Sequence, residues 1–153
     1  MRPVGLHAIK RIAREIRQWA ELRRPRRWDP NLGGMCAIAA RELFRRLKIA
    51  GFKPVIVYTK DHAFIRIRNY IVDVTATQFN TQWILNQRDG KKYKPVEVVL
   101  IRQSKQDPIW GIKPSHIADN LRSGECYEKQ NRWTRAPHQK LLKEHPLSYT
   151  VKI

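Results

Sequence analysis

The sequence predicts an α+β domain in which N-terminal helices pack on an antiparallel sheet. Two observations carry this. Apolar residues recur at three- and four-residue intervals from Leu6 to Leu47, and short runs rich in β-branched and aromatic residues follow from Val55 onward. With 153 residues, 42% of them hydrophobic, the chain suits one domain with a real core and argues against wholesale disorder. The expected layout is a basic helix and connector over 1–27, a central unit over 31–101, and a polar segment over 102–153.

The first helix is marked by Leu6, Ile9, Ile12, Ala13, Ile16, Trp19, Ala20 and Leu22, with Lys10, Arg11, Arg14 and Arg17 between them as a basic outer face. It should stop at Arg23-Arg24-Pro25-Arg26-Arg27, because proline disfavours helix in the residue before it. A loop carries Asn31, Gly33 and Gly34, and a second helix opens at Cys36. That helix is traced by Ala39, Ala40, Leu43, Phe44 and Leu47 and stopped by Gly51. Strands are expected over 54–58, 62–67, 70–74 and 96–101, with Arg68 and Asn69 forming a turn in which Asn69 tolerates positive φ. Alternating residues predict a terminal strand over 147–153, after short helices near 115–121 and 137–144.

Two cysteines are too few for a disulfide scaffold, so free thiols in a reducing compartment are expected. No apolar stretch nears the roughly 18 residues that span a bilayer, and charges break up 1–20 where a signal peptide would be apolar. A soluble, cytoplasmic chain is the expectation. The formal charge of +18 points either to an anionic partner, of a kind it does not name, or to a role in solubility. His7, His116, His138 and His145 show no metal-ligand spacing with either cysteine, so no metal and no cofactor is expected. Trp28, Trp83, Trp110 and Trp133 read as packing residues, and Cys126 as structural or incidental.

The hairpin register sets the chemistry. With Arg68-Asn69 as the turn, Ala63 faces Val74, Ile65 faces Val72 and Ile67 faces Tyr70, an apolar face that belongs on the core. The other face carries His62, Phe64, Arg66, Ile71, Asp73 and Thr75. His62 falls opposite Thr75, so Asp73 is its diagonal neighbour at roughly 7–8 Å, within side-chain reach. An Asp73–His62 hydrogen bond would orient the imidazole as a triad requires. Cys36 is the candidate nucleophile, since the first turn of a helix offers free N–H groups and the positive end of the dipole. With a histidine alongside, such thiols have pKa values of roughly 3.5–7.5. Its own N–H would help hold an oxyanion, and Gly33 and Gly34 would let substrate approach the backbone.

The stretch from Asn31-Leu32-Gly33-Gly34-Met35-Cys36 through His62-Ala63-Phe64 to Tyr70-Ile71-Val72-Asp73-Val74-Thr75 resembles the transglutaminase-like branch of the papain-like cysteine enzymes. That family presents cysteine at a helix N-terminus, then histidine, then an acid on successive strands. The Gly-Gly-x-Cys and Val-Asp-Val steps are also similar to arylamine N-acetyltransferases. The resemblance implies a papain-like fold and a catalytic triad of Cys36, His62 and Asp73, with Asn31, Gly34 and Gln78 as candidates for the oxyanion or substrate site. Ala37 stands where members often carry an aromatic residue, Phe64 where they often carry Trp, and Val74 where many have Pro. Subfamily and substrate therefore stay open.

Two functions follow as expectations. One is a hydrolase or acyltransferase that opens amide bonds through a thioester, as a deamidase, peptidase or transglutaminase would, on a protein or peptide substrate steered by the positive charge. The other is an inactive basic module that binds nucleic acid or an acidic protein through Arg11, Arg14, Arg23, Arg24, Arg26 and Arg27.

Overall fold

The structure, a computed structural model, describes residues 5–58 and 62–111. The expected strand over 147–153, the short helices near 115–121 and 137–144, and Cys126 lie outside the described residues.

Helix α1 spans Leu6–Arg23 and buries Ala8, Ile9, Ile12, Ala13, Ile16 and Ala20. Its apolar stripe ends a turn early, for Leu22 is 83% exposed. Arg17, expected on the basic outer face, turns inward instead and is buried. Its Nη1 donates to the carbonyl of Val74 at 3.0 Å and to Thr77 Oγ1 at 2.8 Å, and those acceptors draw a long side chain off the helix flank.

Helix α2, Cys36–Ile49, lies between α1 and the sheet and is buried around most of its circumference. That position takes in charged residues the amphipathic pattern would leave outside. Glu42 and Arg45 form a buried bidentate pair, with Arg46 Nε donating to the same carboxylate at 3.2 Å. The C-terminus closes as a Schellman motif: Gly51 takes φ +94°, its N–H bonds the carbonyl of Lys48, and the N–H of Phe52 bonds that of Leu47.

Strands β1 (Val55–Tyr58), β2 (Ala63–Ile67), β3 (Tyr70–Asp73) and β4 (Glu97–Leu100) form an antiparallel meander in that order. The β2–β3 register pairs Ile65 with Val72 and Ile67 with Tyr70, as expected from the turn. Two details differ. The positive φ falls on Arg68, at 54°, and not on Asn69. The ladder also stops short of Ala63–Val74 and His62–Thr75, because the Thr75 N–H turns back to Asp73 Oδ1 at 2.9 Å and ends the strand as an Asx turn.

One sheet face, with Ile56, Ala63, Ile65, Ile67 and Val72, joins the helices in the main core. The other face is covered too. Val57, Phe64 and Ile71 pack with Ala76, Ile84, Tyr93, Ile109 and Trp110 in a second cluster. Its cover comes from a 3₁₀ turn (Ala76–Phe79), helix α3 (Gln82–Gln87) and the residues after helix α4 (Ile101–Ser104), none of which the sequence pattern announces.

Candidate active site

The loop before α2 sets the cysteine. Leu32 is buried in a left-handed conformation at φ 69°, a local cost of about 1–2 kcal/mol that its burial offsets, and Gly34 follows at φ +85°. The space that glycine leaves is occupied by the chain itself. A Cβ on Gly34 would lie 2.9 Å from the Trp28 ring, and one on Gly33 would lie 2.8 Å from Asp29 Oδ2. On the side where a Cβ would stand these glycines admit Trp28 and Asp29, and both glycines are half-buried. Asn31 is exposed and acts through its backbone, its N–H bonding Asp29 Oδ1 and its carbonyl accepting from Thr77 Oγ1 at 3.1 Å.

Cys36 is the first residue of α2, follows Met35 at the cap with no side-chain capping bond, and is 3% exposed. His62 sits one residue ahead of β2 and is 1% exposed, and Asp73 ends β3 at 2%. His62 Nε2 lies 2.5 Å from Asp73 Oδ2. With that nitrogen taken, Nδ1 is the ring atom left over, and Cys36 lies near enough for its charge and hydrogen bonding to act on the imidazole. Three groups from α2, the start of β2 and the end of β3 are thus in one place.

Burial pulls the His62 imidazolium down, but the charge and hydrogen bond of Asp73, followed by the hydrogen bond and charge of Cys36, override it and push the pKa up to about 10. Burial would raise the Asp73 carboxyl, yet it lies below its usual value because His62 pairs with it and Trp110 and the Thr75 N–H donate to it. Every Asp73 oxygen is occupied. Oδ1 accepts from the Thr75 N–H, with Thr75 Oγ1 at 3.3 Å, and Oδ2 accepts from His62 and from Trp110 Nε1 at 2.8 Å.

Trp110 is the site residue the sequence reading missed. It looks like any buried tryptophan in one dimension, and only its approach to Asp73 gives its N–H a role. Gln78, on the 3₁₀ turn, holds its Nε2 at 3.4 Å from His62 Nδ1 and 3.2 Å from Thr75 Oγ1. Phe79 meets the imidazole edge-on at 4.7 Å, so both residues cover it. A narrow crevice beneath Cys36 is lined by Ala40, Leu43, Ala63, Phe64 and Val72, among others.

Of the arginines proposed for anions, Arg11, Arg14, Arg26 and Arg27 are exposed. Arg23 stacks over Trp19 at 4.8 Å. Arg24 is half-buried, and its Nη1 donates to the carbonyls of Pro25, Arg26 and Trp28, the last at 2.6 Å. Among the described residues no cluster of His, Cys, Asp and Glu is arranged to hold a metal ion, and no helix is long and apolar enough to cross a membrane. Compared with known proteins, the chain matches no family model, no curated protein and no solved structure.

Proposed function

We propose that this chain is a papain-like, transglutaminase-like cysteine enzyme that opens amide bonds through Cys36, His62 and Asp73. One observation carries the reading: a buried imidazole is held by a carboxylate through Nε2 while a thiol at a helix N-terminus lies close enough for its charge to act on the same ring. A structural histidine has no need of that combination.

Cys36 Sγ attacks the carbonyl carbon, and the Cys36 N–H, with Gln78 Nε2 as the second donor, receives the oxyanion. His62 Nδ1 gives its proton to the leaving nitrogen, which departs as ammonia or an amine and leaves a thioester. Water, losing a proton to His62, then yields the acid and frees the thiol, or an amine takes the acyl group instead. Substrate reaches the sulfur by displacing Phe79, while Gln78 swings its Nε2 from His62 Nδ1 to the oxyanion. A glutamine side chain of an acidic protein is the preferred substrate, because a net +18 steers such a partner.

Iodoacetamide near pH 6 tests the reading. Cys36 is expected to alkylate at least about 10-fold faster than Cys126. Equal, slow rates would sink it. Mass spectrometry of an adduct trapped on Cys36 names the acyl group.

The exposed Arg11, Arg14, Arg26 and Arg27 favour a second reading, a basic module for nucleic acid or an acidic protein. Its binding would fall steeply with salt and be unchanged in Cys36→Ser.

A further inference from the structure

Behind Asp73 lies a polar chain that the triad does not use. Asp107 Oδ2 accepts from Arg88 Nε at 3.2 Å, and its Oδ1 accepts from the Tyr93 hydroxyl at 2.6 Å and the Ile109 N–H at 3.0 Å. The Arg88 guanidinium covers the Tyr93 ring at 3.7 Å. The Tyr93 ring in turn meets Trp110 edge-on, with centroids 5.0 Å apart, and Trp110 donates to Asp73. Asn80 pins the backbone of Tyr93 in both directions, accepting from its N–H at 2.7 Å and donating to its carbonyl at 3.2 Å.

We propose that Asp107 is a positioning residue for the candidate triad: by fixing the turn at Ile109 and the ring of Tyr93, it holds the Trp110 indole N–H on Asp73 Oδ2. This deepens the cysteine-enzyme reading and rests on it. The physical logic is one of reach. Trp110 lies in a turn after α4 and is joined to the sheet by no strand ladder, so its indole needs a side-chain anchor to hold a hydrogen-bonding direction. Asp107, two residues before Ile109, supplies it by bonding its own chain and Tyr93 together. The Tyr93 hydroxyl stays a donor, since burial first, and then the hydrogen bond and charge of Asp107, raise it above its ordinary pKa.

The test compares Asp107→Asn and Tyr93→Phe with Trp110→Phe in the full chain. The Trp110 indole N–H signal, assigned by its loss in Trp110→Phe, is followed by hydrogen exchange, and the Asp73 carboxyl is titrated by carbon NMR. Asp73 is also faced by His62 and, across the ladder, by Glu97, and neither is altered in these variants. Indole exchange is expected to quicken by about 10-fold in both Asp107→Asn and Tyr93→Phe. The Asp73 midpoint should rise toward that of Trp110→Phe, and adding Asp107→Asn to Trp110→Phe should move it no further. Exchange and midpoint at wild-type values, or fully additive shifts in the double variant, would overturn the proposal even if stability fell. Failure of the enzymatic reading looks different: Cys36 would alkylate no faster than Cys126 in the unaltered chain, while the indole measurement stood unaffected.

Discussion

His62 Nε2 and Asp73 Oδ2 are 2.5 Å apart and both side chains are almost wholly out of water. Neither charge is tolerable there alone, so each sets the protonation of the other. Removing the carboxylate charge leaves burial as the dominant influence on the imidazole. In Asp73→Asn the His62 midpoint is expected to fall from about 10 to below its ordinary 6.5. On the proposed cysteine-enzyme reading, turnover through Cys36 should drop by about three to four orders of magnitude. Proton NMR of the imidazole follows the midpoint, and a value still near 10 would contradict the pairing.

The same pair makes stability depend on pH at both ends. The His62 pKa is higher in the folded than in the unfolded chain, so its contribution is complete below 6.5 and is lost as pH rises through about 10. Asp73 is lowered in the fold, so its contribution is present above its unfolded value and lost as pH falls through the folded one. Urea midpoints measured across pH should form a plateau that declines toward both extremes. His62→Gln is expected to flatten the alkaline decline.

Glu42 is buried with Arg45 and takes a further bond from Arg46. Glu42→Ala removes the bidentate carboxylate from the buried Arg45 guanidinium and is expected to cost about 3–5 kcal/mol in urea unfolding. Replacing Glu42 and Arg45 together by Leu and Met should cost much less, because both buried charges leave together.

Gly34→Ala meets two obstacles, the positive φ and the Trp28 ring. The backbone cost is about 1–2 kcal/mol, with about 1–3 more for overpacking. Combining it with Trp28→Leu should recover the packing part and leave the backbone part, as a double-mutant cycle in urea would read.

Among the described residues, local pattern alone was enough to find both long helices, all four strands and the hairpin register, since periods of 3.6 and 2 and a two-residue turn are properties of neighbouring residues. The register in turn placed Asp73 within reach of His62, and Gly51 marked the end of α2. Other features depended on what each element packs against. Arg17 turned inward because Val74 and Thr77 offered it acceptors, and Glu42 and Arg45 were enclosed because α2 has α1 on one side and the sheet on the other. Gly34 serves the Trp28 ring for the same kind of reason. Most of all, the N–H of Trp110 reaches Asp73 across 37 positions of chain. Periodicity tells which way a side chain leaves its own helix or strand, whereas its partner is set by how distant segments come to rest against one another, and that is where tertiary structure alone decided.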